Sequence, residues 1–401
     1  EAVYNAAGLG LPIVMTVANR AIGAPINIWN DHSDSMSHRD SGWIQLYART
    51  NQEAADLHCQ AFRIAEELSV PVMVCMDGFV LTHAVERVDL PSQEQVDAFL
   101  PSYEPRQVLD PAEPVSIGAM VGPDAFTEVR YLAHLKHLQA IEAIPDIADR
   151  FAETFGRDSG GLIHPYRTED ADTIVIALGS VLGTICDTVD VLRETNARIG
   201  ALGITSYRPF PADAIRSVLA HAKQVVVVEK AFSVGVGGIV STDVQMALSG
   251  TAVRVHTIIA GLGGRAITKT SLHNAFTDAL ADALEPVSFL DLNRSLIDRE
   301  LQRMLATRRS GPHAENMLAD VARSPLGSGE ETPMPVQPIK FYQTGSFVVG
   351  NRLLEPEQTS VQASTERTNS LNSGHRACRA AVRRWEPATP STRRCAPPPT
   401  S

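Results

Sequence analysis

The sequence predicts an α/β protein whose sheets are largely parallel and covered by helices on both faces. Two stretches carry this. Between Ile13 and Met76 an apolar strand, an amphipathic helix and a second apolar strand follow one another. Between Thr173 and Ile259 four short apolar runs alternate with three helical stretches. Runs that are continuously apolar, rather than alternating, mark strands buried on both faces.

The elements follow in chain order. Glu1 to Gly8 is helix-like and lacks the basic start of a signal peptide, and Pro12 breaks the apolar stretch after it. Ile13 to Ala18 reads as a strand, apolar on both faces. Gly23, Pro25, Asn27 and Asn30 punctuate a loop. Gln52 to Leu68 has helical spacing through Ala54, Ala55, Ala61, Ile64, Ala65 and Leu68. Val70 to Met76 is the next strand, ended by Asp77-Gly78. Pro91 to Pro123 is proline-rich and reads as an irregular surface connection. Val129 to Phe155 is helical, and Gly160-Gly161 marks a boundary. The second unit runs strand Thr173–Ala177, helix Val181–Glu194, strand Ile199–Ile204, helix Ala212–Ala220, strand Gln224–Glu229, helix Gly238–Leu248 and strand Val253–Ile259. Pro211 at the first turn suits a helix start. From Gly327 to Pro338 Gly, Pro, Glu and Ser dominate, as in a linker. Lys340 to Gly350 has weak strand character. Beyond Cys378 the chain is Arg- and Pro-rich without apolar periodicity, which predicts a disordered C-terminal tail.

Composition narrows the function. The 401 residues suffice for two or three domains, and 44% apolar with 20% charged residues is ordinary for a globular chain. No apolar run is long enough for a transmembrane helix. Cys59, Cys75, Cys186, Cys378 and Cys395 are irregularly spaced, which excludes a secreted disulfide scaffold and suits a reducing cytoplasm. A net charge of −11 argues against a nucleic-acid partner. The charge divides unevenly, −16 before Lys340 and +5 from Lys340 onward. Thirty arginines stand against five lysines, the mark of a GC-rich gene.

Three motifs bear on chemistry. Gly235-Val-Gly-Gly238 and Gly261-Leu-Gly-Gly264 match neither phosphate-binding glycine pattern, and they read better as tight turns. The run Asn30 to Asp40, with Asp31, His32, Asp34 and Arg39, has oxygen ligands at alternate positions, as a hard cation requires. It lacks the central Gly and terminal Glu of a calcium loop, so a polar substrate-lining loop at a strand's carboxyl end is the better reading. Arg20 follows the first strand closely. There it either grips a carboxylate with its fork of donors or satisfies loop carbonyls, and spacing alone leaves the two even.

Longer words carry a resemblance. LPIVMTVANRAIGAPINIWNDHSDSMSHRDSGWIQLYARTNQEA (Leu11 to Ala54), PVMVCMDGFVLTHAVERVDLP (Pro71 to Pro91), FLPSYEPRQVLDP (Phe99 to Pro111), ITSYRPFP (Ile204 to Pro211) and GLGGRAI (Gly261 to Ile267) resemble the pyruvate:ferredoxin oxidoreductase α subunit over roughly the first 315 residues. The resemblance implies residues 1–157 as part of the pyrimidine-side thiamine-diphosphate-binding domain with its connection. It implies residues 158–315 as a domain like the transketolase C-terminal one, and 316–339 as linker. It implies oxidative decarboxylation of pyruvate with coenzyme A to acetyl-CoA, CO2 and reduced ferredoxin, with thiamine diphosphate shared with a β portion. Arg20 matches the arginine that binds the 2-oxo acid carboxylate. Asn27, Asp31, His32, Asp34 and Arg39 line the same loop. The family glutamate that protonates the aminopyrimidine has no counterpart in this sequence, so the resemblance implies a chain truncated at its amino end, with a first sheet short of strands and a fragment inactive without the β portion. The alternative is a non-catalytic α/β binding or scaffold module.

The C-terminal part extends the resemblance. KFYQTGSFVVGNRLLEPEQTSVQASTERTNSLNSGHRAC, residues 340–377 and Cys378, resembles the start of the same enzyme's β subunit, which continues into a CxxCGE cluster motif. One base added after the codon for Arg379 can turn a GC-rich coding of the following residues into C-R-G-C-G-E-A-L-G-A-R-Y-A-I-D. Residues 378–401 are then expected to be frameshifted, with Cys378 a remnant ligand. A [4Fe–4S] cluster needs four thiolates, so it is expected in the full enzyme and not in this chain.

Overall fold

The computed structural model describes residues 1–307 except Ala24, Gln107, Val115 and Ile117, together with residues 317, 321, 348–349 and 352–353. Most of the linker, the β-subunit-like region and the tail, Cys378 included, lie outside the described residues. The chain divides into Glu1–Arg323 and Ser324–Ser401. In the second part Val348–Val349 pairs antiparallel with Arg352–Leu353, within and just beyond the stretch of weak strand character.

The first part opens with α1 (Ala2–Gly8), β1 (Val14–Asn19), the short α2 (Ser33–Met36), β2 (Ile44–Tyr47), α3 (Asn51–Leu68) and β3 (Val72–Asp77). α3 starts where Thr50 accepts the Glu53 N–H on its side chain at 3.1 Å. It buries Ala54, Leu57, Ala61, Ile64, Ala65 and Leu68 along one face and stops at Ser69 in the left-handed conformation. α4 (Gln93–Phe99) lies inside the stretch expected to be irregular. Ser92 and Gln95 cap it reciprocally, and Phe99 packs edge-on against Phe151 and Phe155 of α5 (Pro123–Phe155). Proline content hid this helix because its prolines flank it.

The second unit adds β4 (Ile163–Tyr166), β5 (Thr173–Ala177), α6 (Val181–Arg193), β6 (Ile199–Ile204), β7 (Ser206–Arg208), α7 (Ala212–Leu219), β8 (Gln224–Glu229), α8 (Val240–Ala247), β9 (Arg254–Ile259), α9 (Lys269–Leu280), β10 (Val287–Phe289) and α10 (Arg294–Thr307). Every residue of β5, β6 and β8 is buried, the apolar runs together with the polar Thr173, Gln224 and Glu229 at their ends.

The first sheet has the order β1-β3-β2-β7, and the second β10-β9-β8-β5-β6-β4. The expected four strands of the second sheet are therefore six. β4 joins antiparallel to β6 at one edge and β10 parallel to β9 at the other. β1 is only partly buried rather than covered on both faces, because it stands at the edge of its sheet. β7 leaves the second unit and pairs antiparallel with β2 of the first sheet. One core cluster accordingly mixes Met36, Trp43, Tyr47 and Cys75 with Ile174, Leu202, Tyr207 and Val227. The two sheets share buried apolar surface, which sets the carboxyl edge of one against that of the other.

Candidate active site

The register of β1 on β3 sets Asn19 beside Asp77 at the carboxyl end of the first sheet. Asn19 is buried, and its Oδ1 accepts Ser35 Oγ at 2.6 Å and Ser35 N at 3.1 Å. Arg20 comes next and is exposed. Its N–H donates to Asp34 Oδ2 at 3.1 Å, while its guanidinium has no hydrogen bond or ion pair among the described residues. The loop then folds back, with Ala21 N donating to Trp29 O at 3.1 Å and Trp29 N to Asn27 Oδ1 at 2.8 Å.

Behind this loop lies a buried polar hub. Asp77 Oδ1 meets His32 Nε2 at 2.7 Å and Asn30 Nδ2 at 3.3 Å. Its Oδ2 accepts Lys230 Nζ at 2.9 Å, Ser180 N at 2.9 Å and the Ser180 hydroxyl. Lys230 also donates to Asn30 Oδ1 at 2.8 Å, and its carbonyl accepts His32 N at 2.8 Å. Burial pushes the Asp77 carboxyl up, but Lys230, then His32 and Ser180, outweigh it and hold it well below the usual carboxylate range. Gly179 keeps the approach open: it sits at φ +73°, and a Cβ there would lie 3.1 Å from both Asp77 oxygens.

The position of this hub follows from topology. β5 connects to β6 on one side, and the chain then returns to place β8 on the other. Ser180 follows β5 and Lys230 follows β8, so both mark the switch point where an open α/β sheet presents its ligand crevice. Here the first unit's own Asp77 carboxylate fills that position. Beside it a cavity of about 420 Å³ is lined by Arg49, Glu86, Ser180, Thr184, Lys230 and Arg265.

A second tie joins the loop to the turn after β9. Asn27 Nδ2 donates to Gly263 O at 3.1 Å, and Gly263 N donates to Asp31 Oδ2 at 3.2 Å. Asp31 Oδ1 accepts Ser33 N at 2.9 Å.

Comparison with known proteins identifies the chain. Residues 1–149 match the family model described as pyruvate flavodoxin/ferredoxin oxidoreductase, thiamine diP-binding, and residues 171–272 match pyruvate:ferredoxin oxidoreductase core domain II. Pyruvate synthase subunit PorA of Methanosarcina barkeri is 43% identical over 306 residues, 74% of this chain and 76% of that protein. This chain is an α-type subunit of the pyruvate:ferredoxin oxidoreductase family. PorA of Thermotoga maritima is also 43% identical, over 289 residues, 70% of this chain and 72% of that protein. A solved 2-oxoglutarate:ferredoxin oxidoreductase from Magnetococcus marinus shares the fold, with a TM-score of 0.50 and 17% identity over 70% of this chain and half of that one. The α-type subunit thus belongs to an enzyme of 2-oxo acid:ferredoxin oxidoreduction and carries the family's thiamine-diphosphate-binding domain. Among its described residues no helix is long and apolar enough to cross a membrane.

The loop residues singled out in the sequence part company in the subunit. Arg20 and Asp34 meet through a backbone bond, and Asn27 and Asp31 converge on Gly263. His32 is buried in the hub. Arg39 bonds Met36 O at 2.9 Å and lines a different cavity, of about 620 Å³, with Leu9, Leu132 and Phe210. Asp77, Lys230 and Ser180 escaped the sequence reading. The available signals were Asp77 closing an apolar strand, as Arg20 follows one, and Lys230 standing directly after QVVVVE.

Thiamine's aminopyrimidine works through a carboxylate that shares a proton with its ring. The carboxylates hydrogen-bonded within the loop and the hub behind it are Asp31, Asp34 and Asp77. The first two accept backbone N–H groups, and the third is held by Lys230, His32, Asn30 and Ser180. These residues do not by themselves fit that half of the cofactor.

Proposed function

We propose that the subunit is the α portion of a pyruvate:ferredoxin oxidoreductase in which Arg20 binds the carboxylate of the 2-oxo acid. The reaction joins the acyl group of pyruvate to coenzyme A, releases CO2 and a proton, and passes electrons one at a time to ferredoxin. The observation that carries this reading is the Arg20 guanidinium itself. It is exposed at the carboxyl edge of a parallel sheet, without a protein partner among the described residues, on a loop whose polar side chains Asn27, Asn30, Asp31 and His32 are tied down. A fork of donors in that state matches a substrate carboxylate and orients the adjacent ketone carbon.

On this reading thiamine diphosphate is shared with the β portion of the enzyme, which also carries the [4Fe–4S] clusters. The division falls near residue 157, with the thiamine-binding unit before it and the transketolase-like unit in 158–315. Asn27, Asp31, His32 and Asp34 shape the loop rather than touch substrate, and Arg39 stands apart from it at a different cavity.

The test is reconstitution. The chain is mixed with the β portion, thiamine diphosphate, coenzyme A and ferredoxin, and pyruvate-dependent ferredoxin reduction is followed. Activity that depends on both portions and collapses in Arg20→Ala supports the reading. Activity indifferent to Arg20→Ala overturns it.

A further inference from the structure

We propose that Lys230 and the Gly263–Gly264 turn are positioning residues for the Arg20 loop, so that the second sheet acts on the 2-oxo acid site through that loop. Its catalytic half rests on the reading of Arg20 above; the attachment itself does not.

Among its described residues the loop from Arg20 to His32 has few bonds of its own. Ala21 and Trp29 close it once, and Asn27 caps Trp29. Its ties to the second unit are stronger in number and in burial. Lys230 donates to Asn30 and accepts from the His32 amide, fixing both the side chain and the backbone at the loop's end. Gly263 is held on both sides of its residue, its carbonyl by Asn27 and its amide by Asp31. Lys230 is 5% exposed, so its ammonium contributes nothing to a charged surface. Its buried Nζ donates to Asn30 and to Asp77.

The glycines show how close the contact is. A Cβ at Gly263 would lie 2.6 Å from Asn27 Nδ2, and one at Gly264 would lie 2.4 Å from the Cβ of Trp29. Gly263 and Gly264 also sit at φ +61° and +83°. The turn therefore presses its backbone against the loop at Asn27 and Trp29. Since no partner among the described residues holds the Arg20 guanidinium, its place is set by the loop backbone. Asp34 holds that backbone at Arg20 itself and Asp77 holds Asn30 and His32 from the first sheet, while the ends of β8 and β9 pin it at Asn27, Asn30, Asp31 and His32.

The experiment uses the full chain. Two variants loosen the attachment by different means: Lys230→Met with Asp77→Asn removes both charges of the hub together, and Gly264→Ala pushes on Trp29 without touching charge. Amide hydrogen exchange is compared for the loop amides of Ala21 and Trp29 and for the core amides of β3 and β8. Loop exchange accelerated about tenfold more than core exchange is the expected result. In the mixture with the β portion, KM for the 2-oxo acid rises about tenfold while kcat changes less than about threefold. Unchanged loop exchange in both variants overturns the proposal. So does faster loop exchange with an unmoved KM, provided Arg20→Ala raises KM. If Arg20→Ala leaves KM unmoved, the reading of Arg20 fails, and the exchange data still decide the attachment.

Discussion

Lys230 Nζ and Asp77 Oδ2 lie 2.9 Å apart with side chains 6% and 1% exposed, although Asp77 closes β3 of one sheet and Lys230 follows β8 of the other. The pair is a buried junction between two α/β units. It explains why the sheets meet at their carboxyl ends, where both present backbone donors and loops. Breaking one side of such a pair leaves the other charge buried without its counter-charge, with only hydrogen bonds to hold it. Asp77→Asn or Lys230→Met alone should each lower stability by about 3–5 kcal/mol. The double variant should recover at least half of that, since it buries no unpaired charge. Urea unfolding of the four proteins measures the coupling.

Glu53 makes a second junction and gives a pH signature. It is buried, receives Arg49 through two bonds at 2.9 Å, and stands 3.3 Å from His164 Nε2 of the second unit. Burial alone raises its carboxyl. The close His164 imidazole, 3.3 Å away, and the bonds and charge of Arg49 outweigh that and bring it down to about 2 from an ordinary 4.5. A carboxylate depressed on folding contributes stability that is complete above its ordinary value and disappears as pH falls toward the folded one. The window is therefore between pH 4.5 and about 2. The contribution is on the order of 3 kcal/mol at neutral pH. Glu53→Gln should remove that stability at pH 7 and flatten the acid limb of a thermal-unfolding profile. An acid limb as steep as the parent's would contradict the assignment.

Arg20 can be separated into charge and fork. Arg20→Lys keeps the positive charge but loses the paired, planar donors, whereas Arg20→Ala loses both. In the reconstituted enzyme KM for the 2-oxo acid should rise about tenfold for Lys and about a hundredfold for Ala. Equal effects of the two substitutions would mean that the charge alone matters little and that the fork carries the binding.

How much of this was legible from sequence depends on where each residue's partner lies. β5, β6 and β8 are plain in the sequence because both their faces are buried by neighbours of one kind, apolar side chains. β7 is three residues, Ser-Tyr-Arg, with no pattern of its own, and it becomes a strand only by pairing with β2. The site divides the same way. Arg20 was visible because its position after a strand is a local fact. Asp77 looked like the end of a strand before a glycine turn, since Ser180 and Lys230 stand 103 and 153 residues further along. The glycines at 261, 263 and 264 read as turn residues, and their positive φ values agree. Nothing local, however, announces that Asn27 bonds across 236 residues to one of them.

Cysteine chemistry gives the last prediction. Cys59, Cys75 and Cys186 are free, and burial is the first cause that raises each thiol above its ordinary value; Cys186 reaches about 11. A thiol raised in this way is protonated at neutral pH, and the thiolate is the form that ligates metal. Among the described residues, moreover, no group of three or more potential ligands is placed to hold a metal ion. A [4Fe–4S] cluster takes four thiolates, and outside these three the chain has only Cys378 and Cys395. The isolated chain should therefore carry no stoichiometric iron or sulfide after anaerobic reconstitution, with Cys75 resisting thiol reagents until the protein unfolds. The clusters should arrive only with the β portion. Stoichiometric iron in the isolated chain, lost on changing Cys59 or Cys186 to Ser, would place a cluster in the α portion and overturn this division of labour.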